Sequence, residues 1–336
     1  MLSLRRSYGA AFLMAGIGWL ATPAQTIEVK LLPNNTEIVI TVNIKQILSS
    51  EIVKGQKDLI NQLKAALETR IPDDRAIKYL EKLGFDPFKD LHSVSVAHTG
   101  SKDPEDFFVI VEGNFSSEKL LAVAKEAAKE NGDNLKISKI GTTHVYEVSP
   151  GGGMTLYVAH LSKSLVVTAS EDAMKSAIKR STGVGPFAPK VRELLKTTND
   201  TQSLSVVMTG NALGSLAQQA QAKGLPQNAV AGLAGIDGVS GAITIAKNID
   251  FLLGVGAKDA DTAKQYSQMG NDLLPLGKAL LAQNVQKNKE LAAPLMDVVN
   301  TLRLTATGSN VVLRGEVSYD NLQKLFSALG NLKGGF

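Results

Sequence analysis

The chain has 336 residues, 44% apolar and 20% charged, with no cysteine and a formal net charge of +4. The lack of cysteine excludes disulfides, thiolate metal sites, a cysteine nucleophile and a lipidated N-terminal cysteine. Arg5 and Arg6 lie in a segment expected to be removed, which leaves +2; no Lys/Arg cluster interleaved with aromatics follows, so nucleic acid is an unsuited partner.

Met1 to Ala24 reads as a secretory signal peptide: Arg5 and Arg6, an apolar run from Ala10 to Ala21 broken only by Gly16 and Gly18, then Thr22-Pro23-Ala24. About 12 apolar residues span roughly 18 Å as a helix, short of the roughly 30 Å of hydrocarbon that an anchor must cross. Cleavage is expected between Ala24 and Gln25. It removes Trp19, the single tryptophan, with Tyr8 and Phe12, and leaves few aromatic platforms for a carbohydrate. No later apolar run reaches 18 residues, so no membrane span is expected in the mature chain.

Further along, β-branched runs feed into helices through a capping residue. Thr36–Val42 leads to Asn43, Phe107–Val111 to Ser116 and Leu165–Thr168 to Ser170; Leu204–Met208 leads to Asn211, Phe251–Val255 to Asp259 and Val311–Leu313 to Ser318. Amphipathic helices are expected at Lys54–Arg70, Asp74–Leu83 and Asn288–Leu302, with another at Asp259–Leu274 stopping before Pro275. A helix follows Pro189, over Lys190–Asn199. His144–Val148 and Thr155–Leu161 read as a hairpin around Pro150-Gly151-Gly152-Gly153.

The order of elements repeats. Leu91 onward resembles Ile236 onward, the step after Gly113 resembles that after Gly256, and Thr155 onward resembles Thr301 onward, each about 145 positions apart. Three junctions share one spacing from a glycine: Gly113/Ser116/Glu118/Leu120, Gly256/Asp259/Asp261/Ala263 and Gly315/Ser318/Asp320/Leu322. The acid falls in the first helical turn, where the helix dipole favours it. The expected fold is α+β, an internal duplication: domain 1 over 27–183 and domain 2 over 184–336, each a mainly antiparallel sheet with helices packed on one face.

No constellation in the chain points to catalysis, a cofactor or a metal. His92 and His98 share a strand face but stand roughly 20 Å apart, too far for one metal; His144 and His160 stand alone in their segments, and all four are expected at the surface or a sheet edge. Gly151-Gly152-Gly153 precedes a strand where a phosphate loop would precede a helix, and Gly232, Gly235, Gly238 and Gly241 lead into a strand in the same way. Ser116/Lys119 and Ser176/Lys179 have the Ser–x–x–Lys spacing of an acyl-enzyme pair, yet Ser116 is accounted for as a cap and Ser176 lies in a surface-type helix. Asp73/Asp74 and Glu171/Asp172 are helix starts. Asn34, Asn114 and Asn199 form glycosylation sequons, relevant only in a host that uses them. The run from Asn331 to Phe336 lacks the alternation of a barrel strand and reads as a frayed tail.

The leader, the entry phrase Leu32–Leu48 (LPNNTEIVITVNIKQIL), the strand HSVSVAHTG and the step VIVEGNFSSEKLL together resemble uncharacterised exported bacterial proteins of a domain-of-unknown-function type. The resemblance implies an exported protein built of repeated sheet-and-helix units and transfers no functional residues. The function expected is that of an exported, non-enzymatic protein of the periplasm or cell envelope, or one released outside the cell, acting through contacts with a protein or small ligand. The alternatives are an envelope hydrolase whose site assembles only in three dimensions, and a soluble carrier of an apolar ligand.

Overall fold

The computed structural model describes residues 28–324 other than 56–57, 59, 63–64, 66–73, 102, 104–105, 131, 133, 150–152, 184–188, 199–200, 223–235 and 286–288. The leader, the Ala24–Gln25 bond, Asp73, Gly151, Gly152, Asn199, Gly232, Gly235 and the tail to Phe336 lie outside the described residues.

The β-branched runs become strands: β1 (Ile38–Asn43), β2 (Leu91–His98), β3 (Phe107–Gly113), β4 (Leu135–Ile140), β5 (Thr143–Val148), β6 (Leu156–Leu161) and β7 (Ser164–Thr168). The second half supplies β8 (Leu204–Thr209), β9 (Ile236–Ile245), β10 (Asn248–Ala257), β11 (Arg303–Thr307) and β12 (Asn310–Ser318). All twelve pair antiparallel in one sheet, in the order β11-β12-β10-β9-β8-β1-β2-β3-β7-β6-β5-β4. The central ladder joins the halves: β1 pairs β8 from Ile38↔Met208 to Val42↔Leu204. Outward from it the order is the same on both sides, namely first, second, third, last and next-to-last strand of each half, with β5 and β4 added on one side. The hairpin around 150–153 is β5–β6, in register Val145↔Ala159 to Val148↔Leu156.

The helices are α1 (Ile44–Ser49), α2 (Glu51–Gly55), α3 (Asp74–Leu83), α4 (Pro87–Asp90), α5 (Ser117–Glu130), α6 (Glu171–Ser181), α7 (Pro189–Leu195), α8 (Gly210–Gln221), α9 (Ala260–Val285) and α10 (Lys289–Thr301). Five of the six expected junction residues cap a helix by accepting a backbone N–H. Asn43 accepts from Gln46 (3.0 Å), Ser116 from Lys119 (3.3 Å), Ser170 from Ala173 (3.1 Å), Asp259 from Thr262 (2.7 Å) and Ser318 from Asn321 (3.3 Å). At the sixth, the cap is Thr209 in place of Asn211, with its Oγ1 3.4 Å from the Ala212 nitrogen; α8 starts one position after the strand's last residue and leaves no linker for a later cap.

The expected stop before Pro275 does not occur. Helix α9 runs through it. Pro275 offers no N–H to the Asn271 carbonyl, but this stretch is exposed, so water can take that carbonyl. Of the helix expected at Lys54–Arg70, the residues up to Gly55 form α2, and Asp58, Ile60–Gln62 and Ala65 are helical; the remainder lies outside the described residues.

Helices pack on both faces of the sheet, whereas one face was expected. Adjacent strand residues point to opposite sides. Val39 joins a cluster with Ala97, Phe108, Ile110, Val166 and Val207, sealed by Met174 and Ala177 of α6, Val191 of α7 and the buried Leu31 and Leu32 of the N-terminal segment. Val42, on the opposite face, packs with Ile47, Ile52 and Val53 of α1 and α2 and with Ile245, Ile249 and Leu322. The reason is legible in the strands: IVITV, FFVIV and LVVT are apolar on both faces and need cover on both. Close approach of α7 needs Gly238, where a Cβ would lie 2.7 Å from Leu194 Cδ1.

The N-terminal segment is pinned from α6. Arg180 donates from Nε to the Leu31 carbonyl at 2.9 Å and lies over the Phe108 ring, 5.5 Å from its centroid. Among the described residues its buried Nη2 has no partner, so within them the residue is held by the Nε bond to Leu31 and by the ring. Arg180→Ala is expected to lower unfolding free energy by about 2–3 kcal/mol in urea titrations, because it orphans the Leu31 carbonyl and opens the layer over Phe108. A change below about 0.5 kcal/mol would show that the segment is held by Leu31 and Leu32 alone.

Candidate functional site

One row of residues crosses the entire sheet on the Val42 side: Leu304, Leu313, Leu253, Gly241, Val206, Ile40, Val96, Val109, Val167, Val158, Tyr146 and Ile137, one from each strand. None carries a charge. On the other face, the central members of the neighbouring row are sealed: Val207, Val39, Ala97 and Phe108 are at most 2% exposed. The row on the Val42 side is covered unevenly. At one end Leu304 packs beneath Tyr266 and Ala263 of α9; at the other, α5 lies on β4 and Tyr146 is buried. Between them Ile40, Val109, Val167 and Val206 are only half-buried, while Val96 is 38% and Leu253 49% exposed. Helix α9 adds an exposed stripe one helical turn apart, Met269, Leu273 and Leu276. This is an apolar floor with helices at its margins, and no residue type or spacing in the sequence announced it. Its signal was the double-sided apolarity of the strands.

The ionisable groups are dispersed. His92 is buried, contrary to the expected surface position, because α1 and α4 pack on β2; burial, with Lys45 nearby, holds its pKa below the usual histidine value. His98 stays at the end of β2, its Nδ1 accepting from the Gly100 N–H at 2.8 Å. His160 is half-buried, Nδ1 2.5 Å from Ser117 Oγ and its ring edge-on to Phe115, and burial lowers its pKa. This Ser–His contact was not foreseen from sequence, since it joins the first turn of α5 to β6. Among the described residues no carboxylate is bonded to the ring's other nitrogen, so they form no serine triad. Ser116 serves as the cap expected of it, and Lys119 Nζ donates to the Leu83 carbonyl, so their spacing builds no acyl-enzyme pair. Ser176 is exposed on α6, and Glu171 and Asp172 pair with Lys175 at 3.0 and 3.3 Å. Among the described residues no group of three or more histidines and carboxylates could hold a metal, and no helix is long and apolar enough to cross a membrane.

Two carboxylates in the sheet have raised pKa values, one buried and one half-buried. Glu112 is 3% exposed and receives Ser93 Oγ at 2.6 Å. Burial pushes its pKa up, and the Glu28 charge nearby adds to this. Asp250 faces Glu316 across β10 and β12, and its carboxyl is likewise raised, by burial first and the Glu316 charge second. Asn248 Nδ2 donates to Glu316, and the Thr301 hydroxyl donates to its carbonyl at 3.0 Å. Both sites are strand-to-strand braces at the sheet's rim. Comparison with protein-family models, with curated proteins and with solved structures returns no match.

The raised Glu112 value has a stability consequence. The folded state holds its proton more tightly than the unfolded chain, so stability falls as pH rises from the ordinary glutamate value near 4.3 through the higher folded value, and stays reduced at neutral pH. Glu112→Gln keeps an acceptor for Ser93 and removes the charge beside Glu28. Its melting temperature is expected to exceed that of the parent at pH 7, with the difference closing below about pH 4. A destabilised variant at pH 7 would mean that the ionised carboxylate is the form the fold requires.

Proposed function

We propose that the chain is an exported, non-enzymatic protein of the periplasm or cell envelope that works by binding, with the half-exposed apolar floor as its contact surface. The observation behind this is the floor itself: an uncharged row across twelve consecutive strands, aliphatic on ten of them, sealed at both ends by helices and left accessible at Val96 and Leu253. Apolar surface left facing water is costly at roughly 25 cal/mol per Å², and contiguous patches of this kind mark contact sites. Many polar side chains, in turn, are taken up by caps, ion pairs and cross-strand braces, which favours binding over catalysis.

Export rests on the layout of Met1–Ala24, and the absence of cysteine fits a fold stabilised by its core. The strand order, matching over five strands on either side of the β1–β8 ladder, supports an origin by duplication of one unit, with halves at 27–183 and 184–336 fused through their first strands. The duplication places the two first strands at the centre of the floor, so the contact surface is built where the repeats meet.

Two measurements test this reading. N-terminal sequencing of the envelope fraction should find a chain starting at Gln25; an intact Met1 there overturns cleavage. A photo-crosslinking residue placed at 96 or 253 in exporting cells should yield discrete adducts that Val96→Glu or Leu253→Glu at the other position abolishes. Identical patterns from a probe at exposed Lys129 would end the assignment of the floor.

A further inference from the structure

A second feature lies away from the floor's centre, where the halves meet at one margin. A cleft of about 360 Å³ is bounded by α2 (Glu51, Ile52, Gly55), by the turn between β9 and β10 (Lys247, Asn248) and by the end of β12 with the helical turn after it (Ser318, Tyr319, Asp320). Its volume falls in the range of small-molecule sites.

Three charges line it: Glu51, Lys247 and Asp320. All are exposed, and among the described residues none forms an ion pair, so the ammonium and the carboxylates share a cleft without neutralising one another. The amide of Asn248 is engaged with Glu316, and Ser318 Oγ accepts the Asn321 N–H, which fixes that wall. Ile52 and the Tyr319 side chain add an apolar component. Gly55 opens onto free space: a Cβ there would meet no atom within 4 Å.

The corresponding corner of the other half has less room at its glycine. Around the central ladder's two-fold order, α8 takes the place of α1 and α2, and the segment after β2 takes the place of the β9–β10 turn. There a Cβ on Gly100 would lie 3.5 Å from Glu37 Cβ and 3.7 Å from Ala212 Cβ, and the Glu37 carboxylate is engaged by Thr209 and Asn211. One corner therefore holds a carboxylate engaged by its own neighbours, while its counterpart is lined by charges of both signs that form no ion pair among the described residues.

We propose that this cleft binds a small zwitterion of the α-amino-acid class, its ammonium held by Glu51 and Asp320 and its carboxylate by Lys247, with the side chain against Ile52 and Tyr319. An ammonium and a carboxylate on one ligand satisfy both signs at once, and charge-assisted bonds supply the specificity. A simple amine would leave Lys247 unpaired, and a simple acid would leave both carboxylates unpaired. The site is separate from the apolar floor, and neither depends on the other.

The test is calorimetry on the mature chain with L-leucine and L-phenylalanine, beside isobutylamine and isovalerate as single-charge probes. The amino acids are expected to bind and the single-charge probes to bind about tenfold more weakly or not at all. Lys247→Gln should weaken amino-acid binding about tenfold, and Glu51→Gln with Asp320→Asn should do the same. Gly55→Phe, which fills the cleft from open space, should abolish binding while leaving the melting temperature unchanged. Absence of binding at tens of millimolar, equal binding of isobutylamine, or binding that survives Gly55→Phe would each overturn the proposal. None of these results touches the crosslinks from positions 96 and 253, so failure here and failure of the floor are read separately.

Discussion

The ladder between β1 and β8 is the constraint on which the rest depends. Without it each half would end in an unpaired strand, Ile38–Asn43 on one side and Leu204–Thr209 on the other, both β-branched and both without a charged residue. Such edges pair with whatever strand is available. Joining them places both in the middle of a continuous sheet, where their backbone groups are satisfied on either side by β2 and β9. The same pairing sets the register of the apolar row, since Ile40↔Val206 continues outward to Val96 and Gly241. A slip of one residue at this ladder would turn every aliphatic side chain of one half to the opposite face.

The two faces then divide the labour. The Val39 face is closed by α6, α7 and the N-terminal segment into a core whose members are at most 3% exposed. The Val42 face is covered by α1 and α2 near one margin and by α9 and α5 at its ends. What holds the fold and what is left accessible are thus the two sides of the same strands. Two polar braces sit near strand ends, Ser93–Glu112 at one rim and Asn248–Glu316 at another. They fasten neighbouring strands to each other.

Local chemistry was legible in the sequence and long-range placement was not. The strands and five of six caps follow from runs such as FFVIV and from a Ser, Asn or Asp three residues before an N–H in need of an acceptor, which is information held within ten residues. Those steps recur about 145 positions apart in the sequence, and the strand order runs alike over five strands on either side of β1–β8. The alliance of β1 with β8 could not be read, because an apolar strand does not encode which of several similar strands it will join. Burial of His92 and the Ser117–His160 contact depend on packing between segments distant in sequence, and the cleft between Glu51, Lys247 and Asp320 on segments brought together by that pairing. Helix α9 was expected to end at Pro275 on a local rule, and its continuation reflects an exposed setting in which one lost hydrogen bond costs little.

How the sheet ends decides which surface is free to associate. The outermost strands are β4 and β11. Strand β4 carries Lys136 and Lys139 toward solvent, and β11 is only five residues long and opens on exposed Arg303. Charges and shortness at an edge oppose further strand addition, so extension of the sheet by another chain is disfavoured at both ends. The face has no such protection. Val96 and Leu253 lie amid aliphatic neighbours with no lysine or arginine in their row, and Met269, Leu273 and Leu276 stand exposed on the adjoining α9. A fold that guards its edges and leaves one apolar face accessible favours contact at that face over extension of the sheet.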